Sequence, residues 1–180
     1  MDLDDLFRAA KNPQVLKVIV QPDTHVPYQD EQAVQALLDF AKEYRPHGWL
    51  ILGDFADCEG ISHWPASDEK PRRLVPEILE ARKLLQRINA ASPDCVARWY
   101  LTGNHETWIE QALVAKIPEL LDGLSELGID LSLKAILGLE QLGWDLFPMN
   151  HLLKIGKAHF THGIYTGGSH AKKHLSLIHI

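Results

Sequence analysis

Short apolar runs alternate with amphipathic helical segments along this 180-residue chain, and that alternation restricts the folds it can adopt. A run rich in β-branched residues at 15–20 predicts a buried strand, and residues 31–44 place their apolar side chains on one helical face. A second apolar run follows at 49–52. Strand, helix and strand in this order favour parallel strands joined by right-handed crossovers. The sequence therefore predicts a fold of the α/β class.

The alternation continues beyond the second strand. Helical periodicity over 77–88 is followed by a third predicted strand at 96–101. Three further helices are then predicted, at 106–115, 118–127 and 133–142. Three short strands complete the series, at 144–149, 152–155 and 158–161. These short strands predict an antiparallel extension of the sheet or a second sheet.

Composition and charge exclude several classes of protein. The chain has 18 basic and 24 acidic residues and a formal net charge of −6, which argues against bulk electrostatic binding of nucleic acid or an anionic membrane. Two cysteines, Cys58 and Cys95, cannot build a disulfide framework. No apolar run approaches the roughly 18 residues of a membrane span, and the acidic first residues differ from a secretion signal. We therefore expect a cytoplasmic protein without a membrane partner, and the sequence leaves its oligomeric state open.

Side chains that can bind metal ions follow the predicted strands directly. In chain order they are Asp23 and His25, Asp54 and Asp57, Asn104 and His105, and finally His162. Because ligands of an open α/β sheet collect at the carboxyl ends of its strands, these side chains are expected at one edge. One such pair is weak evidence for a site, since turns use the same residue types. Four signals in order are hard to produce by turn preferences alone.

The chain resembles the calcineurin-like metallophosphoesterases in four motifs, Asp23-x-His25, Gly53-Asp54-x-x-Asp57, Gly103-Asn104-His105-Glu106 and a later His162. The resemblance spans residues 15–162. It implies an α/β/β/α sandwich, incomplete at its C-terminus in this chain. It also implies an enzyme that hydrolyses phosphomonoesters or phosphodiesters through a hydroxide activated by two metal ions.

The resemblance also assigns a role to each residue. The five implied metal ligands are Asp23 and His25 on the first ion, Asp54 as a bridge, and Asn104 and His162 on the second. Oxygen and nitrogen ligands suit two divalent ions, for which we expect Mn²⁺, with Fe, Ni²⁺, Co²⁺ or Zn²⁺ as alternatives. His105 matches a histidine that faces the leaving group, and Asp57 matches the carboxylate that orients it. For Asp57 the alternative is a cap of the following loop.

The chain departs from the family pattern at two places. Cys58 and Glu59 follow Asp57 where the family commonly has an arginine, which argues against an arginine clamp, and we predict that Cys58 is a buried thiol. The closing Gly-His-x-His motif of the family does not follow His162. Residues 175–180 resemble a translated sequencing adapter. We therefore expect a partial phosphoesterase domain at 1–174, a non-native tail at 175–180 and a longer natural protein.

Several interpretations remain open at this point. The pair His170 and His174 is expected to belong to a solvated helix, with metal binding as the alternative. The expected partner is a phosphate-ester substrate, which leaves a nuclease, a nucleotide phosphodiesterase and a protein phosphatase as options. The rivals are a non-catalytic metal-binding or interaction module on the same fold, and an inactive truncated fragment. The presence of both His105 and Asp57 favours the enzyme, because a scaffold needs no acid for a leaving group.

Overall fold

A computed structural model describes residues 3–11, 15–62 and 73–163. The described elements, in chain order, are α1 (Leu3–Ala9), β1 (Val18–Gln21), α2 (Glu31–Tyr44), β2 (Gly48–Leu52), a 3₁₀ turn (Glu59–Ile61), α3 (Leu74–Ala91), β3 (Ala97–Leu101), α4 (Asn104–Lys116), α5 (Pro118–Glu126), α6 (Leu133–Leu137), α7 (Leu139–Leu142), β4 (Asp145–Phe147), β5 (Leu153–Ile155) and β6 (Ala158–Phe160). The predicted tail at 175–180 and the pair His170 and His174 lie outside the described residues.

Four strands form a parallel sheet in the order β1-β2-β3-β4, which confirms the predicted α/β class. The expectation for the closing strands is wrong at β4, because this strand joins the first sheet in parallel, with Trp99 opposite Asp145. The helices α4 to α7 lie between β3 and β4 in the chain and return it to the same end of the sheet, so the two strands run in one direction. The strands β5 and β6 form a separate antiparallel pair, which agrees with the predicted alternative of a second sheet.

The helix boundaries follow local chemistry where a cap is present. The Asp30 side chain accepts hydrogen bonds from the N–H groups of Gln32 and Ala33, and α2 spans the predicted residues. The helix predicted at 133–142 is instead divided at Gly138, which has a φ of 68° and separates α6 from α7. A periodic apolar pattern continues across such a glycine, so the pattern alone does not show the break.

Both faces of the parallel sheet are covered, which is usual for parallel strands. Alternate residues point to opposite faces. Trp49 and Ile51 of β2 lie in the core that α2 and α3 contribute to, whereas Leu50 lies in a second core. That second core contains Leu6 of α1 and Leu153 of β5. The strand ends are thus held from both sides. Among the described residues, no helix combines the length and the apolar character needed to cross a membrane.

Candidate metal centre

The loops that follow β1 and β2 run side by side and continue the parallel pairing past the ends of the strands. The His25 N–H donates to the Asp54 carbonyl at 2.9 Å, and the Val26 N–H donates to the Phe55 carbonyl at 2.8 Å. The Asp57 N–H returns a bond to the Val26 carbonyl at 3.0 Å. These backbone bonds place the first two motifs of the sequence against each other.

Asp23, His25 and Asp54 form the first cluster of this edge. Each contributes one potential ligand atom, and the three atoms lie within 4.8 Å of one another. Two carboxylates and an imidazole form a donor set that suits a first-row divalent cation. The imidazole Nδ1 of His25 donates a hydrogen bond to Asp57 Oδ1 at 2.8 Å. This bond leaves Nε2 of His25 as the ring nitrogen available to a cation.

Asp54 also belongs to a second cluster, with Asn104 and His162. His162 Nε2 lies 3.3 Å from Asp54 Oδ2 and 3.2 Å from Asn104 Oδ1. On the other side of the ring, Nδ1 of His162 donates to the Leu52 carbonyl at 2.8 Å. Metal-binding histidines in proteins are held in this way, through the nitrogen that does not contact the metal. Asp54 is therefore common to both clusters.

His105 lies beside the first cluster, and its surroundings differ from the sequence expectation in one respect. Its Nδ1 donates to the Asp57 backbone carbonyl at 2.5 Å, whereas the Asp57 carboxylate is 3.5 Å away and lies closer to His25. The His105 ring packs edge-on against His25, with centroids 4.7 Å apart, and stacks on Trp108, with centroids 4.2 Å apart. The backbone of Asp57, more than its side chain, thus orients His105.

Three of the candidate ligands have a backbone conformation that residues other than glycine rarely adopt. Asp23, His25 and Asp54 have φ values of 43°, 51° and 46°. Such residues cost free energy unless the surrounding structure holds them, and they concentrate at functional sites. Nothing in the residue pattern shows this feature, because each side chain on its own is compatible with an ordinary turn.

Two glycines of the motifs allow the clusters to form. A Cβ at Gly53, which has a φ of 84°, would lie 2.2 Å from His162 Nδ1. A Cβ at Gly103 would lie 2.1 Å from Asp54 Oδ1 and from the Asp54 nitrogen. Both positions therefore require glycine for steric reasons, and the second also permits the His105 N–H to reach Asp54 Oδ1 at 3.0 Å.

Glu106 anchors this edge of the sheet, a role that the residue pattern did not indicate. Its fully buried carboxylate accepts bonds from the N–H groups of Phe55 and Ala56 at 2.7 and 2.9 Å, from the Tyr100 hydroxyl at 2.8 Å and from the Gly103 N–H at 3.0 Å. Burial raises the pKa of this carboxyl, although the bonds from Ala56 and Tyr100 oppose that effect. The available signal was a glutamate three residues after Gly103, the residue that precedes α4, where its side chain can cap the helix.

The charges of the second cluster favour an ion pair. Burial acts to raise the pKa of Asp54, but hydrogen bonds from His162 and from the His105 N–H outweigh burial, and the net shift is downward. The hydrogen bond to Asp54 raises the pKa of His162 to about 9, against the opposing effect of burial. At neutral pH without a cation, a proton therefore occupies Nε2 of His162. Metal binding there must displace that proton.

Cys58 is buried, as predicted, and burial raises the pKa of its thiol. A thiol of this kind is a poor nucleophile and a poor metal ligand at neutral pH. Cys58 therefore contributes to packing beside the two clusters and is not a ligand candidate.

No protein-family model matches the chain, and no curated protein matches it either. The interpretation of this edge therefore depends on the geometry of its residues and on the motifs in the sequence.

Proposed function

We propose that this chain is a metal-dependent phosphoesterase of the calcineurin-like type, which hydrolyses phosphomonoesters or phosphodiesters at a site for two divalent cations. The observation that carries the proposal is the position of Asp54. One of its oxygens lies beside His162 and Asn104, and a ligand atom of the same side chain lies within 4.8 Å of those of Asp23 and His25. A carboxylate with two oxygens can bridge two cations in this arrangement.

The donor set fits such a pair of ions. Asp23 and His25 are available to one cation, Asn104 and His162 to the other, and Asp54 to both. Nδ1 of His25 is engaged by Asp57 and Nδ1 of His162 by the Leu52 carbonyl, so that Nε2 of each ring is the nitrogen that would bind a cation. When bound, two divalent cations activate water as a nucleophile and neutralise the charge of a phosphoryl group. We infer Mn²⁺ as the ion, with Fe, Ni²⁺, Co²⁺ or Zn²⁺ as alternatives.

His105 is positioned to supply the proton of the reaction. The Asp57 carbonyl accepts a bond from Nδ1, which leaves Nε2 of His105 to donate to a departing alkoxide. The stack on Trp108 and the edge contact with His25 restrict rotation of the imidazole. The Asp57 carboxylate lies 3.5 Å from Nδ1 of the same ring.

We further propose that the fold is an α/β/β/α sandwich, in which β5 and β6 belong to the second sheet. The support is the position of these strands. Leu153 of β5 packs with Leu50 and Trp99, on the sheet face opposite α2 and α3, and Phe160 of β6 packs against the same core. The domain range 1–174 is part of this proposal.

The test is hydrolysis of p-nitrophenyl phosphate and bis(p-nitrophenyl) phosphate by the chelator-treated chain after addition of Mn²⁺. We expect turnover only with the metal, and Asp54→Asn should reduce it by more than the roughly 10–100-fold loss seen when a side chain that merely orients a ligand is removed. Asp145→Asn, at an exposed residue of β4, is the matched control and should keep full activity. Two bound Mn²⁺ ions without hydrolysis of either ester would favour the non-catalytic metal-binding module instead.

A further inference from the structure

The helices α4 and α5 and the loop that follows them enclose an open groove of about 500 Å³, which we name the α4–α5 groove. Its apolar lining consists of Leu113, Val114, Leu121, Ile129 and Leu131. It lies at the far end of α4 from Asn104 and His105, and none of the candidate metal ligands lines it.

The apolar side chains of this region remain uncovered within the described part of the chain. Val114 is 64% exposed and Ile129 is 48% exposed, and no residue of α5 is buried. Single exposed apolar residues are normal on a protein surface, but a contiguous apolar groove marks an interaction site. The apolar residues of α5 therefore do not serve the core of the chain.

The charge of the same region is strongly negative. Residues 110–132, which include the lining of the groove, contain five acidic residues and a single lysine, Lys116, a net charge of −4. Glu110 and Asp130 line the groove, and the acidic residues of α5 are exposed. The backbone N–H of Ser132 donates to Asp130 at 2.7 Å and lowers the pKa of that carboxyl, which keeps it anionic.

We propose that the α4–α5 groove binds a basic amphipathic helix of a partner protein. An amphipathic helix places apolar residues into a groove at spacings of three and four, and a groove of a few hundred Å³ accommodates several aliphatic side chains. The acidic rim complements lysines and arginines that flank such an apolar face, and it repels nucleic acids and anionic lipids. The proposal does not depend on the metal chemistry at the other end of α4.

The first experiment measures fluorescence anisotropy of a labelled synthetic peptide of leucine and lysine, with all leucines on one helical face, added to the full chain. We expect saturable binding that weakens with added salt. A scrambled peptide of the same composition and a peptide with glutamate in place of lysine should each bind at least about tenfold more weakly, a loss of about 1.4 kcal/mol of binding free energy. Equal binding of the scrambled peptide would overturn the proposal.

The second experiment locates the binding site with surface variants. The double variant Glu110→Lys with Val114→Ser should weaken the leucine–lysine peptide about tenfold. The matched control, Glu43→Lys with Val75→Ser, changes an exposed glutamate of α2 and a 69%-exposed valine of α3 and should bind like the wild type. An equal loss of peptide affinity in both double variants, or no loss in the Glu110→Lys with Val114→Ser variant, would show that the peptide does not bind in the α4–α5 groove. A dimer in sedimentation that Val114→Ser dissociates would assign the surface to a second copy of the chain and also overturn the proposal. Each result leaves the hydrolysis assay of the metal centre unaffected.

Discussion

The candidate metal centre is assembled from two regions of very different construction. Asp23, His25 and Asp54 lie in two loops that extend a four-stranded sheet, and backbone hydrogen bonds join the first loop to the second. His162 arrives from the end of the two-stranded pair β5–β6. A two-stranded sheet is marginally stable on its own and depends on packing against other elements. We therefore expect changes at the sheet edge to affect the whole fold, and changes at His162 to weaken one of the two proposed cation sites.

Gly103→Ala should have the largest effect, because its Cβ would lie 2.1 Å from two atoms of Asp54 at the sheet edge. Backbone atoms cannot retreat as a flexible side chain can, and overpacking of this kind costs about 1–3 kcal/mol or more of the free energy of unfolding. Urea denaturation measures the loss. Gly123→Ala is the control, since no atom lies within 4 Å of its Cβ position in α5, and there the change should stabilise the chain slightly. Equal midpoints for both variants would refute the steric requirement.

Glu106→Gln should have the next largest effect, also through the sheet edge. In Glu106 one carboxylate oxygen accepts a bond from the Gly103 N–H. In the variant an NH₂ group would replace that oxygen and leave two buried donors facing each other, and each unpaired donor costs about 1–3 kcal/mol. The free energy of unfolding should fall by that amount. Glu110→Gln, one turn further along α4 and exposed, should leave it unchanged. If the two variants unfold at the same urea concentration, Glu106 does not anchor the edge.

His162→Gln should leave the fold largely intact and weaken one of two cation sites. Loss of the imidazole would remove a ligand from the proposed cation site that includes Asn104, while Asp23 and His25 are untouched. We expect the affinity for one Mn²⁺ to fall by about 10–100-fold or more and the other to change little, as isothermal titration calorimetry would show. His151→Gln, in the turn before β5, serves as the control. Equal loss of both ions would contradict the division between the two regions.

The pH dependence of the metal-free chain should show the smallest effect. The folded pKa of His162 is about 9, above its ordinary value of 6.5, so the folded chain binds more protons than the unfolded chain between these values. The stabilisation by its ion pair with Asp54 is therefore complete below pH 6.5 and is lost as the pH rises through about 9. Because the pKa of Asp54 is lowered, its carboxylate stays charged at lower pH, and the ion pair with His162 persists further into the acidic range. Urea unfolding in a chelator at several pH values measures how the free energy of unfolding changes with pH. The same pH dependence in His162→Gln would show that it does not come from His162.

The sequence predicted well those features that depend on neighbouring residues. Asp30 and the periodicity after it predicted α2 to its ends, and the apolar runs predicted the first three parallel strands. The direction of β4 and the division at Gly138 depend on how distant elements pack, and the residue pattern does not contain that information.

The candidate site shows the same limit. The positions of Asp23 and Asn104 after strands were sufficient to expect them at one edge. The contact of the Asp57 carboxylate with His25 and the bonds from Phe55 and Ala56 to Glu106 join residues more than 30 positions apart in the chain. Such contacts become visible only in three dimensions.

The most direct test of the shared site is calorimetric titration of Mn²⁺ into the chelator-treated full chain, in parallel with Asp54→Asn. A bridging carboxylate predicts two Mn²⁺ ions per chain in the wild type and weakened binding of both in the variant. A single ion in the wild type, or two ions of which Asp54→Asn weakens only one, would contradict the position of Asp54 between two cations.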